Sequence, residues 1–200
     1  MTLSRTFSCV IVSILYNKNI NNQKGAAMKF SFETVYDKKA LTVMAKAVRK
    51  TVRRKRSRRS HIFGVIVIIL GLLLILAHII NKDPFSFQLL ITIIAVLALL
   101  IALIFEDKLN AYVAKKRMMP EMEKAEVKFY ENSYESVTAV GETKFKYENI
   151  LALAESKRYF VFMFSKSHAQ VYDKKSIEGG SVKKFRDFIE EKTGIKIKDI

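Results

Sequence analysis

Two stretches, His61–Ile80 (HIFGVIVIILGLLLILAHII) and Phe87–Phe105 (FQLLITIIAVLALLIALIF), decide how the chain is organised. Neither contains Lys, Arg, Asp or Glu. As helices they would each be about 28–30 Å long, the thickness of a bilayer's hydrocarbon core. A helix in a soluble core is seldom apolar around its whole circumference over such a length. The break Asn81-Lys82-Asp83-Pro84 has turn chemistry and is too short to be a domain. The pattern predicts a transmembrane helical hairpin over 61–105, with spans 62–80 and 87–105. Its internal polar residues, His78, Gln88 and Thr92, all sit toward the connecting loop. Two such helices cannot enclose a solute path alone, so a channel would need several copies.

Charge extends the argument outward. The net charge is +16, and the excess is concentrated just before the first span, above all in Arg53–Arg59 (RRKRSRR). Lys108, Lys115, Lys116 and Arg117 follow the second span, whereas the intervening loop offers only Lys82. Basic residues beside a span hold that end in the cytoplasm, which predicts an inner (plasma) membrane protein with both termini cytoplasmic. Each cation near an anionic leaflet contributes on the order of 1 kcal/mol of attraction. Arg53, Arg54, Lys55, Arg56, Arg58 and Arg59 are therefore the candidate residues for binding anionic headgroups. No base-reading module accompanies them, which argues against nucleic acid as the partner. The one cysteine, Cys9, allows no internal disulfide.

Residues 1–27 read differently. Arg5, the apolar Phe7–Tyr16 and the small residues Gly25-Ala26-Ala27 outline a signal peptide, but the polar Asn17–Lys24 separates the last two features. The favoured reading is an upstream extension without structure, with the working start at Met28. Lys24-Gly25-Ala26 is what a purine-rich ribosome-binding site would encode.

Residues 28–60 carry a strand and a helix. Lys29–Tyr36 alternates Phe30, Phe32, Thr34 and Tyr36 with Lys29, Ser31, Glu33 and Val35, a strand pattern that needs a partner later in the chain. Asp37 is a helix N-cap. Leu41, Met44, Val48 and Val52 then recur at helical spacing, predicting a basic amphipathic helix of about five turns that runs on into the first span.

After Phe105 the spacing of Leu109, Tyr112, Val113 and Lys116 predicts a helical linker over 106–125, ended by Pro120. Short alternating runs follow: Val127–Tyr130, Tyr134–Val140, Thr143–Tyr147 after a Gly141-Glu142 turn, Ile150–Glu155, Tyr159–Phe164 and His168–Tyr172. Gly179-Gly180 reads as a linker, Ser181 as a cap, and Val182, Phe185, Phe188 and Ile189 as the stripe of a last helix closed by Gly194. Strands followed by one amphipathic helix predict an α+β domain over 126–200, an antiparallel pleckstrin-homology-like barrel or sheet capped by the helix. The strand 29–36 is expected to join it, so that the hairpin interrupts one domain.

The VKFYENSYESV strand pair, the KFKYENILALAESKRYFVFMF core and the SVKKFRDFIEEKTG helix resemble the YcxB-like family of small bacterial membrane proteins. In that family a Trp is common where this chain has Tyr147. The resemblance implies the layout of leading strand, basic helix, two spans and C-terminal domain. It implies no activity.

Motifs for catalysis and metal binding are missing from the sequence. There is no phosphate-binding glycine loop, HExxH, CxxC or GxSxG, and His61, His78 and His168 are dispersed. The expectation is a non-enzymatic membrane protein without cofactor or metal. Its cytoplasmic barrel would capture a peptide, a protein partner or a lipid headgroup near the inner leaflet, and the basic helix would hold it at the anionic headgroups of the bilayer. Lys144, Lys146, Lys157 and Arg158 are the candidate ligand rim. A subunit of an oligomeric transport or pore assembly is the alternative.

Overall fold

The computed structural model describes residues 27–82 and 84–200. The upstream extension, apart from Ala27, and Asp83 of the interhelical turn lie outside them.

β1 (Phe30–Val35) pairs antiparallel with β2 (Lys124–Phe129), setting Phe32 opposite Val127. Four helices lie between these paired strands: α1 (Lys38–Lys50), α2 (Arg54–Ile80), α3 (Phe87–Ile104) and α4 (Glu106–Arg117). β3 (Ser133–Thr138) and β4 (Gly141–Lys146) complete a four-stranded sheet in the order β1-β2-β3-β4. β5 (Ala152–Glu155), β6 (Tyr159–Met163), β7 (Ala169–Asp173) and β8 (Lys198–Asp199) form a second sheet, ordered β7-β6-β5-β8, in which β8 runs parallel to β5. α5 (Val182–Thr193) begins at Ser181, whose hydroxyl accepts from Lys184 N, and ends at Gly194 in the left-handed region at φ 67°.

The strands do not close into the expected barrel. The free edge of β1 is taken by the return segment after β7: Ser31 N donates to the Glu178 carbonyl at 3.2 Å and Glu178 N to the Ser31 carbonyl at 3.0 Å. With that edge occupied, no backbone–backbone hydrogen bond joins β7 to β1 among the described residues, and Asp173 N donates instead to Thr34 Oγ1 at 3.1 Å. Gly179, read as a plain linker, sits at φ 86° against β1, where a Cβ would collide with the Lys29 carbonyl oxygen. The β3–β4 turn also differs from expectation. Thr138 pairs with Gly141, so Ala139-Val140 forms the loop and Gly141-Glu142 opens β4.

Two apolar clusters share the second sheet. Between the sheets, Phe32, Phe129 and Tyr134 meet Phe160, Phe162 and Tyr172, with Phe185, Phe188 and Ile189 of α5 packed among them. On the opposite face, Tyr159, Val161, Met163 and Val171 pack under α1 and α4. The unbroken apolar run YFVFM thus has a physical cause: β6 is covered on both sides, so both sets of alternating side chains are buried. Burial pushes the Tyr36 hydroxyl up to about 12 in this second layer.

Asp37 caps α1 by accepting from Ala40 N at 2.7 Å. α1 then buries Ala40, Leu41, Met44, Ala47 and Val48. The expected continuous five-turn helix does not form. α1 stops at Lys50, the chain turns over Thr51–Arg53, and α2 starts at Arg54. The apolar face of α1 must lie flat on the second sheet, whereas α2 leaves the domain, and one straight axis cannot do both. Lipid therefore does not receive that face. α4 presents Ala111 and Ala114 inward, leaving Leu109 and Tyr112 exposed at 45% and 57%. Small side chains let α4 lie close on α1, which overrides the longer Leu109 and Tyr112 spacing.

α2 and α3 are each long and apolar enough to cross a membrane. They meet at Gly64 with Leu103 and at Gly71 with Val96, where a Cβ on Gly71 would lie 2.5 Å from Val96 Cγ2. Most of their remaining aliphatic surface is exposed, including Phe63, Leu74, Ile80, Phe87 and Ile104.

Candidate functional site, a basic cleft at the root of the helical pair

The turn between α1 and α2 creates a concavity. Thr51 Oγ1 donates to the Ala47 carbonyl at 2.5 Å, and Arg53 N to the Val48 carbonyl at 2.9 Å, closing α1. α2 then carries Arg54, Ser57, Arg58 and His61 along one face, at the i, i+3, i+4, i+7 spacing of a helix. These four residues line an open cleft of about 490 Å³ with Arg49 and Lys50 of α1 and Lys198 and Asp199 of β8. An adjoining hollow of about 400 Å³ shares Lys50, Arg54 and Lys198 and adds Lys196 and the stretch Leu151–Leu153.

β8 supplies the far wall. Its parallel pairing, Ala154 with Lys198 and Glu155 with Asp199, carries the C-terminal segment beneath the α1 terminus. There Lys198 Nζ donates to the Lys50 carbonyl at 3.0 Å. A cation at a helix C-terminus is favoured by the helix dipole.

The charges in the cleft differ in their bonding. Arg49 is engaged: its Nε and Nη2 donate to the two Asp107 carboxylate oxygens, both at 2.7 Å, and Glu106 lies at 3.8 Å. The Asp107 hydrogen bonds hold the Arg49 guanidinium above its ordinary pKa. Among the described residues, the Arg54 and Arg58 guanidinium groups have no hydrogen-bond or ion-pair partner. Asp199 is the one acid lining either hollow. The cleft is therefore suited to an anion.

A serine, a histidine and a glutamate fall in line at the cleft's upper wall. His61 Nε2 lies 3.4 Å from Glu106 Oε2, and His61 Nδ1 lies 3.3 Å from Ser57 Oγ. Nδ1 is closer, at 2.9 Å, to the Ser57 carbonyl oxygen. A nitrogen bonded to a carbonyl carries the proton, so it cannot take one from the Ser57 hydroxyl. With Nδ1 as the donor, His61 bonds within its own helix, and Glu106 Oε2 accepts no hydrogen bond among the described residues.

Of the candidate headgroup-binding residues, Arg54 and Arg58 line the cleft. Lys55, Arg56 and Arg59 project from other faces of α2, and Arg53 lies in the turn before it. The candidate rim is split. Phe145 stacks on Phe164 at 5.4 Å, placing Lys144 and Lys146 by the C-terminal end of β6. Lys157 and Arg158 precede its N-terminal end, on the order of 15–20 Å away at the usual strand rise. Lys144 pairs with Glu135 at 3.3 Å, and Arg158 with Asp173 at 2.6 Å. Lys198, Lys196 and Lys50 carried no motif. The spacing of Arg54, Ser57, Arg58 and His61 was the one available signal in the sequence.

Residues 129–189, from the last residue of β2 into α5, match the family model of YcxB-like proteins. The chain carries a YcxB-like domain. No curated protein and no solved structure matches the chain. The YcxB-like segment contains β3 to β7 and most of α5, hence much of the core between the sheets, but not Phe30, Phe32 or Val127. Arg54, Arg58, Lys50 and Lys198 all fall outside it, so the family match is silent about the cleft.

Proposed function

We propose that this chain is a non-enzymatic binding module rooted in the bacterial inner membrane by α2 and α3, with the YcxB-like domain and both termini on the cytoplasmic side. The observation that carries this reading is the helical pair itself. Beyond the seam where the two helices meet, most of its aliphatic surface, from Phe63 to Ile80 and from Phe87 to Ile104, is exposed among the described residues. Leaving that surface in water would cost roughly 25 cal/mol per Å², and lipid removes the cost. The cationic residues cluster at the end of the pair that adjoins the domain, which supports a cytoplasmic domain under the rule for basic flanks. Two sheets with a C-terminal helix packed between them support a pleckstrin-homology-like plan, opened where the Glu178 segment takes the edge of β1.

Anchoring is tested by alkaline carbonate washing of native membranes, with thiol labelling of cysteines introduced at Lys82 and Glu142. Retention in the pellet, with labelling from outside at Lys82 only, is the expected result. Release into the wash, or outside labelling at Glu142, would overturn the reading.

A further inference from the structure

We propose that the cleft is a headgroup site in which Arg54, Arg58 and Lys198 together hold the phosphate of an anionic phospholipid from the leaflet where the hairpin is rooted. The proposal rests on the membrane-anchored reading and adds a ligand class and a place for it. Three observations carry it.

The first is convergence. Arg54 and Arg58 stand on one face of α2, and Lys198 faces them from the other end of the sequence. A run of basic residues acting only as a diffuse charge would need no second wall. Here the parallel β5–β8 pairing builds one.

The second is availability. Arg49 is committed to Asp107, and Lys198 leans on the Lys50 carbonyl, whereas Arg54 and Arg58 have no side-chain partner among the described residues. A guanidinium fork matches phosphate oxygens in pairs, and Lys adds a point charge.

The third is depth. Continuous apolar sequence in α2 starts at Ile62, four residues beyond Arg58. That is about 6 Å along a helix. Arg58 would lie at the level of lipid phosphates and Arg54 one turn deeper into the cytoplasmic side. A soluble anion would gain nothing from that depth, and a lipid phosphate is already there.

The test uses the full chain in neutral detergent, titrated with short-chain phosphatidylglycerol or phosphatidylcholine and read by thermal unfolding and by lipid phosphorus retained per chain. Wild type should show saturable stabilisation by phosphatidylglycerol alone. The double variant Arg54→Gln/Arg58→Gln should bind it on the order of ten- to thirtyfold more weakly. Lys55→Gln/Arg56→Gln removes the same charge from the same turns of α2 but outside the cleft, and should weaken binding at least about threefold less than the cleft pair does, because neither residue lines the site. Both pairs lie on an exposed helix surface, and their melting without lipid reports their folding. Lys198→Gln tests the far wall independently and should also weaken binding. Equal loss from both arginine-containing pairs would overturn the site in favour of unspecific attraction. Equal stabilisation by sodium phosphate at the same concentration would overturn the lipid assignment in favour of a soluble anion. Failure of anchoring shows separately, as release of the wild-type chain by carbonate, and leaves the detergent titration readable.

Discussion

Replacing Phe32 with alanine should damage a domain most of whose strands lie beyond the two long apolar helices. Phe32 is 1% exposed on β1, and its ring centroid lies 4.6 Å from Phe185, 5.7 Å from Phe129, 5.8 Å from Tyr172 and 6.4 Å from Phe160. It therefore touches the first sheet, the second sheet and α5 at once. Truncating a buried Phe costs about 3–5 kcal/mol, as lost transfer energy plus an unfilled cavity. The upper part of that range applies here, because three elements would have to move inward together to fill the gap. Val35 on the same strand is 47% exposed, so Val35→Ala should fall within about 0.5 kcal/mol of wild type. The assay is urea unfolding of the full chain in detergent, followed by near-ultraviolet circular dichroism of the tyrosines, since the chain has no Trp. A loss below about 1 kcal/mol for Phe32→Ala would refute the claim that β1 is integral to the domain. A fragment of residues 124–200, which lacks β1 and α1, should fail to unfold cooperatively; stability equal to that of the whole chain would refute the same claim.

Other perturbations test other joints. Gly71→Ala should destabilise the α2–α3 pair by about 1–3 kcal/mol through its clash with Val96, and Val96→Ala should restore most of the loss in a thermal melt. Tyr147→Phe removes a hydroxyl that donates to the Tyr130 carbonyl at 2.6 Å and lies 3.2 Å from that of Ser133, and should cost about 1 kcal/mol by urea unfolding. Glu131 joins Lys192 near the end of α5 to Lys29 just before β1, and those two cations hold its carboxyl down to about 2 from an ordinary 4.5. Its folded-state pKa is depressed, so its contribution is complete above pH 4.5 and is lost as pH falls toward 2. Glu131→Gln should flatten the stability profile in that window, and an unchanged slope would remove Glu131 from the account. Arg49→Ala should cost about 1–2 kcal/mol, less than for a fully buried pair because both partners are partly solvated. A double-mutant cycle with Asp107→Ala measures how much of that is the pair itself.

Local chemistry alone was enough for several features. Unbroken apolar length marks α2 and α3, whose extent depends on composition and helix rise, both visible residue by residue. Asp37 and Ser181 mark the starts of α1 and α5, because a side chain that caps its own helix acts within three residues. The alternation of Phe30, Phe32, Thr34 and Tyr36 marks a strand for the same reason. What distant segments do to one another had to come from the tertiary structure. The run Tyr159–Met163 is equally apolar whether one face or both are covered, and only the docking of α1 and α4 shows that both are. The break at Thr51–Arg53 has no helix-breaking residue to announce it. It follows from the different surfaces that α1 and α2 must meet. The strands stay open where the Glu178 segment occupies the edge of β1. The cleft depends on Lys198 arriving from the far end of the chain. The sequence determined which segments are helices, strands and caps, since those forces act within a few residues; the tertiary structure decided which cations face one another, since that depends on contacts more than a hundred positions apart.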